Sequence, residues 1–280
     1  MVDLELKLPE EFFQEENKDG YLVSRKMKEV WAVEMDLAVQ LEKICKKHDI
    51  PYFADSGTLL GAARHKGFIP WDDDMDFVMM RPDYERFCRI AEKELSYPYF
   101  AQTERTDHGA IYGAMKIRNM QTLGKLRGEG LSLKNEGIFI DVFPLDIYPS
   151  KRETRKKYLE KAICVRQKMF LYPQVAGKLV DHLFKGRNPY FHIWQYNLRR
   201  YEDSGSNLIY CQQWELKSDK EYLYKKEWYS EIVYLPFEEM MLPAPRDYQE
   251  SLKVMFGDWR KPARSPGGHG FSGNIFFDTG

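Results

Sequence analysis

Apolar residues recur at helical spacing from Met27 to Cys45, with Val30, Trp31, Leu37, Ala38, Leu41 and Ile44 on the same stripe, and Ser24 stands where a helix cap is expected. The pattern predicts a long helix from Ser24 to about His48 that buries this stripe in a core. Pro51 to Ala54 is a short apolar run suited to a strand, and Leu59 to Ala63 can open a helix. Phe77-Val78-Met79-Met80 reads as a buried strand, and Pro82 suits the first turn of a helix reaching about Leu95, with Phe87, Ile90, Ala91 and Leu95 inward. From Tyr99 to Phe143 the pattern turns to strands. Ile111 to Arg118 alternates, placing Tyr112, Ala114, Lys116 and Arg118 on one face, and Ile138 to Phe143 alternates in the same way. Beyond Ser150, basic helical stretches are predicted at Lys151 to Leu171 and at Pro189 to Tyr201 after the cap Asn188. A last helix runs from Asp247 to Phe256, closed by Gly257.

This order of elements predicts an α+β fold: a sheet flanked by helices in residues 21–149, then a helical, aromatic-rich part in 150–260. Residues 1–20, polar and acidic, are expected to form a loose arm, and residues 261–280 a Pro- and Gly-rich tail. A length of 280 residues with 43% hydrophobic content supports one large domain with an appended lobe.

Charge narrows the picture mainly by exclusion. Lys and Arg total 42 against 43 acids, so no global field steers the chain toward nucleic acid and electrostatic recognition must be local. No apolar run approaches the roughly 20 residues that span a bilayer, and Val2-Asp3-Leu4-Glu5 lacks the basic and apolar regions of a signal peptide, so a cytoplasmic protein is expected. Cys45, Cys88, Cys164 and Cys211 are scattered without a C-x-x-C pair, as reduced core thiols would be.

The candidate chemistry lies between Asp55 and Met80. Asp72, Asp73, Asp74 and Asp76 crowd four acids into five positions directly before the apolar run. In an extended segment Asp72, Asp74 and Asp76 would share a face opposite Asp73 and Met75. A bare row of carboxylates repels itself, and it becomes favourable around a hard divalent cation, Mg²⁺ or Mn²⁺, shared with a substrate phosphate. Solvated turns are also Asp-rich, but a solvated turn has no need of the apolar strand that follows. Upstream, Ser56-Gly57-Thr58 sits between a strand and a helix start, where backbone N–H groups and the helix dipole favour an anion. Neither the P-loop nor the dinucleotide glycine pattern is present.

Two more strands bear on this site. Lys116 and Arg118 share a face and would hold phosphate oxygens if that face borders the acids, Arg118 by a bidentate fork and Lys116 as a point charge. Asp141 is embedded in an apolar strand, so it requires a metal ion or a cationic partner. It is read as the third metal ligand beside Asp74 and Asp76, while Asp146, beyond Pro144, is expected in a turn with a structural role. The many Trp and Tyr residues between Trp194 and Tyr229 can pack a core, cage a quaternary ammonium by cation–π attraction, or, with the basic residues around them, rest on a bilayer.

Residues Asp55 to Asp76 resemble the LicD family of the nucleotidyltransferase superfamily, whose signature runs D-[GS]-G-T-L-L-G-A-x-R-H-x-G-F-I-P-W-D-D-D-[IM]-D. The likeness continues through Arg81 to Phe87, Gly137 to Asp146, Leu235 to Glu238 and Leu242 to Pro245, then at Tyr248, Leu252 and Phe256-Gly257-Asp258. The resemblance implies a nucleotidyltransferase-like mixed sheet and transfer of a phospho-alcohol, typically phosphocholine from CDP-choline, onto a cell-surface glycan or its lipid-linked precursor. With the aromatic and basic mixture of the 150–260 part, peripheral contact with the inner membrane face is expected. On this basis Asp74, Asp76 and Asp141 hold Mg²⁺ or Mn²⁺, Asp72 serves as general base or as a neighbour of the ligands, and Ser56, Gly57, Thr58 and Arg64 position phosphate. Two alternatives use the same carboxylates: a nucleotidyltransferase that releases pyrophosphate, and transfer from a CDP-ribitol or CDP-glycerol donor. Family members often end with a His after a proline-rich segment, which His269 matches only in part because Arg264 to Gly268 departs from the usual spacing.

Overall fold

The computed structural model describes residues 2–108, 110–124, 135–175, 188–211, 222–261 and 275–277. Helix α1, Arg25–His48, starts where the pattern places it, and the Ser24 hydroxyl accepts the Met27 N–H at 3.2 Å, satisfying one first-turn donor. Its buried face, including Val30, Trp31, Leu37 and Leu41, forms the main core with the sheet.

The central sheet is mixed and has seven strands among the described residues. The order β10-β9-β8-β4-β3 runs from Tyr224–Lys225 (β10) through Leu208–Tyr210 (β9), Phe139–Tyr148 (β8) and Asp76–Met80 (β4) to Phe53–Ala54 (β3). Strands β4 and β8 are parallel, with Asp76 opposite Asp141 and Met80 opposite Leu145. The other edge of β8 is shared. Its first half pairs antiparallel with β6, Met115–Asn119, which carries β5, Tyr99–Gln102, while its second half pairs with β9. Nearly every position of this ten-residue strand is buried, on both faces of the sheet, which explains why β8 is almost wholly apolar and why its acids stand out.

Helix α2, Ser56–Arg64, follows β3, and α3, Arg81–Glu94, follows β4 with Pro82 in its first turn. Helix α4, Arg152–Val175, packs on α5, Pro189–Arg199, whose cap Asn188 accepts the Tyr190 N–H at 3.1 Å. The hairpin of β11, Ile232–Phe237, and β12, Met240–Pro245, leans on α2 and β3, and α6, Tyr248–Phe256, ends at Gly257. Strand β7, Thr122–Gly124, pairs with β13, Ile275–Phe277.

Several expectations change. Residues 2–20 do not hang loose: Leu4, Phe12 and Phe13 join the core, and β1, Glu16–Lys18, forms a hairpin with β2, Tyr21–Val23. Their apolar residues are few but large enough to anchor the segment on α1. The strand expected from Ile111 begins only at Met115, because Gly113 adopts φ 78° and breaks the extended run. Asp146 lies in β8 and not in a turn, since Pro144 is accommodated within the strand. It is buried and takes a bidentate pair from Arg81, Nε–Oδ1 2.7 Å and Nη2–Oδ2 2.6 Å, so its structural role stands. Cys164 is exposed, unlike the buried Cys45, Cys88 and Cys211. The 150–260 segment is not wholly helical, because β9 and β10 extend the central sheet.

Candidate active site

The acids gather where β3, α2, β4 and β8 meet. Strand β4 begins at Asp76, so Asp72 to Met75 form an irregular approach to it and not a paired strand. Backbone bonds lace this approach to its neighbours. The Asp76 N–H donates to Thr58 Oγ1 at 2.8 Å, the Asp55 N–H donates to the Asp76 carbonyl at 3.0 Å, and the Asp141 N–H donates to the Met75 carbonyl at 2.9 Å. The Trp31 indole N–H donates to the Asp72 carbonyl at 2.9 Å, pinning the approach beneath α1.

Ser56-Gly57-Thr58 forms the first turn of α2, three residues earlier than expected. Ser56 is left-handed, φ 49°, and its hydroxyl donates to Asp55 Oδ2 at 3.1 Å. Gly57 serves close approach: a Cβ there would stand 2.3 Å from Asp72 Oδ2. The amino end of α2 and the acidic approach therefore touch, as a site that binds phosphate beside carboxylates requires.

Electrostatics bind the acids into one group. Burial first, then the charges of Asp74, Asp141, Asp55 and Asp72, push the Asp76 carboxyl well above the ordinary range. Burial and then Asp74 and Asp73 lift Asp72 to about 8, and burial lifts Asp55 to about 6. A further buried acid lies on α1: Glu34 is raised by burial and then by Asp74, Asp73, Asp72 and Asp76. Asp55 and Glu34 were not singled out by sequence reasoning. The signal for Glu34 was an acid set three residues from both Trp31 and Leu37 on an apolar helix stripe.

The basic candidates are distributed differently from expectation. Lys116 faces Asp141 across the β6–β8 ladder and its Nζ donates to both Asp141 carboxylate oxygens at 2.9 Å, its ammonium also 3.4 Å from the Phe139 ring centre. Asp141 thus has a cationic partner and stands beside Asp76. Arg118 is fully buried, donating to Gln102 Oε1 at 2.5 Å and to the Gly137 carbonyl at 2.7 Å, so its guanidinium ties β6 to β5 and to the segment that leads into β8. Arg64, at the far end of α2, donates to the carbonyls of Trp259 at 3.0 Å and Lys261 at 3.4 Å, fastening the segment after α6.

A hard divalent cation suits this group by charge and donor chemistry, because the neighbouring Asp carboxylates act on Asp76 and on Glu34 and raise the proton affinity of both. Among the described residues no three His, Cys, Asp or Glu side chains close into a ready-made cage, so the fit is one of donor set and not of preset geometry. Trp194, Tyr210, Tyr224 and Tyr229 are buried in packing clusters, Tyr196 is exposed, and Trp214 and His269 lie outside the described residues. Among the described residues no helix is long and apolar enough to cross a membrane.

Residues 49–173 match the family model described as the LicD/FKTN/FKRP nucleotidyltransferase domain. The chain is 28% identical over 235 residues to the lipopolysaccharide cholinephosphotransferase LicD of Haemophilus influenzae, covering 78% of this chain and 85% of that one. It is also 42% identical over 72 residues to an uncharacterized protein of Rickettsia typhi and 51% identical over 63 residues to one of Rickettsia prowazekii. Those two matches span 21% and 24% of the Rickettsia proteins. The resemblance of Asp55 to Asp76 to the LicD family is upheld by these matches.

Proposed function

We propose that this LicD-type chain transfers phosphocholine from CDP-choline to a hydroxyl of a cell-surface glycan or its lipid-linked precursor, with a divalent cation held by Asp74, Asp76 and Asp141. The observation that carries the reading is the contact of the α2 amino end with the acid group, Gly57 against Asp72 and Thr58 against Asp76. It joins an anion-favouring helix terminus to a cation-favouring carboxylate set, the two halves a pyrophosphate substrate needs. The similarity to the Haemophilus influenzae cholinephosphotransferase supports phosphocholine as the group transferred.

In the reaction the acceptor hydroxyl oxygen attacks the phosphorus that bears choline. A new P–O bond forms to the glycan, the P–O bond to CMP breaks, and CMP leaves with the electron pair. A bound Mg²⁺ or Mn²⁺ supplies charge neutralisation for the phosphate oxygens. The first turn of α2 directs its N–H dipoles at the donor's phosphates. Asp72, at about 8, is basic enough in its ionised form to take the hydroxyl proton. Lys116 holds Asp141 in place next to Asp76. A lipid-linked acceptor would be met at the cytoplasmic surface of the membrane, with peripheral contact through the basic helix α4, which carries Lys156, Lys157, Lys161, Arg166 and Lys168.

A panel of CDP-choline, CDP-ribitol and CDP-glycerol with Mg²⁺ tests the reading. CMP release from CDP-choline above the others is expected, and pyrophosphate release from CTP in its place would overturn it.

A further inference from the structure

Helix α1 carries two buried acids whose surroundings differ sharply. Asp36 is satisfied: it accepts the Leu6 N–H at 2.7 Å and the Tyr99 hydroxyl at 2.7 Å, tying the N-terminal segment and β5 to the helix. Glu34 is fully buried, and among the described residues neither of its carboxylate oxygens has a hydrogen-bond partner. A buried carboxyl without partners is costly and calls for an explanation in the protein's function.

Its position supplies one. Glu34 is one helical turn from Trp31, whose indole holds the Asp72 carbonyl, so both side chains lie on the face of α1 that covers the acidic approach. The charges that act on Glu34 are those of Asp72, Asp73, Asp74 and Asp76. Nothing in core packing needs a carboxylate here: the same helix face is otherwise built from Val30, Trp31, Leu37, Ala38 and Leu41.

We infer that Glu34 is a further cation-binding carboxylate of this site, reaching it from α1, directly or through a water on the ion. This rests on the divalent-cation reading above. It assigns α1 a part in the chemistry: an ion bound at the acids would bridge the helix to β4 and link ion occupancy to the seating of α1.

The test is Mn²⁺ binding to the purified full chain, followed by the paramagnetic signal of the free ion, for wild type, Glu34→Gln, Glu34→Met and the control Asp76→Asn, with melting temperatures taken in EDTA. Gln keeps the shape of Glu34 and removes its charge, while Met keeps the length and removes the polar atoms. If one variant fails to fold, the other still reports. The inference predicts Mn²⁺ affinity weakened about tenfold or more in both Glu34 variants, with a metal-free melting temperature equal to or above that of wild type. Wild-type affinity in the Glu34 variants alongside weakened binding in Asp76→Asn would overturn the role of Glu34 and leave the cation reading standing. Absence of saturable Mn²⁺ binding in wild type would overturn both.

Discussion

Asp76 and Asp141 are register partners across the parallel strands β4 and β8, and Lys116 holds Asp141 from the opposite edge. The ammonium sits where it offsets part of the charge that two adjacent carboxylates would otherwise leave uncompensated. Lys116→Met should therefore destabilise the metal-free protein by roughly 3 kcal/mol, since breaking a buried pair leaves its partner without compensation. Mg²⁺ should restore much of that loss by binding the folded state. Urea unfolding with and without Mg²⁺ checks both. Equal losses in Mg²⁺ and in EDTA would mean that the ion does not bind beside Asp141.

Gly57 tests the contact between α2 and the acids. Gly57→Ala gains helix propensity but sets a methyl against the Asp72 carboxylate. Turnover should fall about tenfold or more, with melting temperature nearly unchanged because the clash is with the end of a flexible side chain. The effect of Gly57→Ala should shrink in an Asp72→Ala background, because the two sites share one contact.

Arg81 and Asp146 mark the other extreme. Both are buried and the pair is bidentate, so Arg81→Met should strand Asp146 and cost roughly 3 to 5 kcal/mol in denaturant unfolding. Simultaneous replacement of Asp146 by Leu should recover most of it. Loss of activity without loss of stability would instead place the pair in the chemistry.

How much of this was legible along the chain varied with the range of the contacts involved. Local signals were sufficient for α1, α3 and α5, where caps and apolar spacing lie within a few residues. The acidic approach was legible because its residues are neighbours in sequence. Arg118 and Arg64 read as phosphate ligands because their actual partners, Gln102 with Gly137 and Trp259 with Lys261, are brought to them only by tertiary folding. Glu34 went unread for the opposite reason: helical periodicity directed attention to its apolar neighbours, and the acids it meets lie about forty positions on in the chain.

The raised carboxyls set a pH dependence. Asp72 at about 8 and Asp55 at about 6 bind protons more tightly in the fold than in the unfolded chain, where such groups titrate near about 4. The folded state thus carries more bound protons across this window. The stability contributed below pH about 4 is lost as pH rises toward 8. In EDTA, urea unfolding should show stability declining from pH 5.5 to 8, and saturating Mg²⁺ should flatten the decline by favouring the ionised acids. A metal-free stability that rises over that interval would contradict the placement of these groups in one buried cluster.

The central claim is that the acid group performs cation-dependent phospho-alcohol transfer, and the most direct measurement is CMP release from CDP-choline by wild type, Asp74→Ala and Asp76→Ala, in Mg²⁺ and in EDTA, with melting temperatures recorded on the same preparations. The account predicts CMP release by wild type in Mg²⁺ only, and loss of turnover in both variants while melting temperatures in EDTA stay at or above the wild-type value. Near wild-type CMP release by either variant, or by the wild-type protein in EDTA, would contradict it.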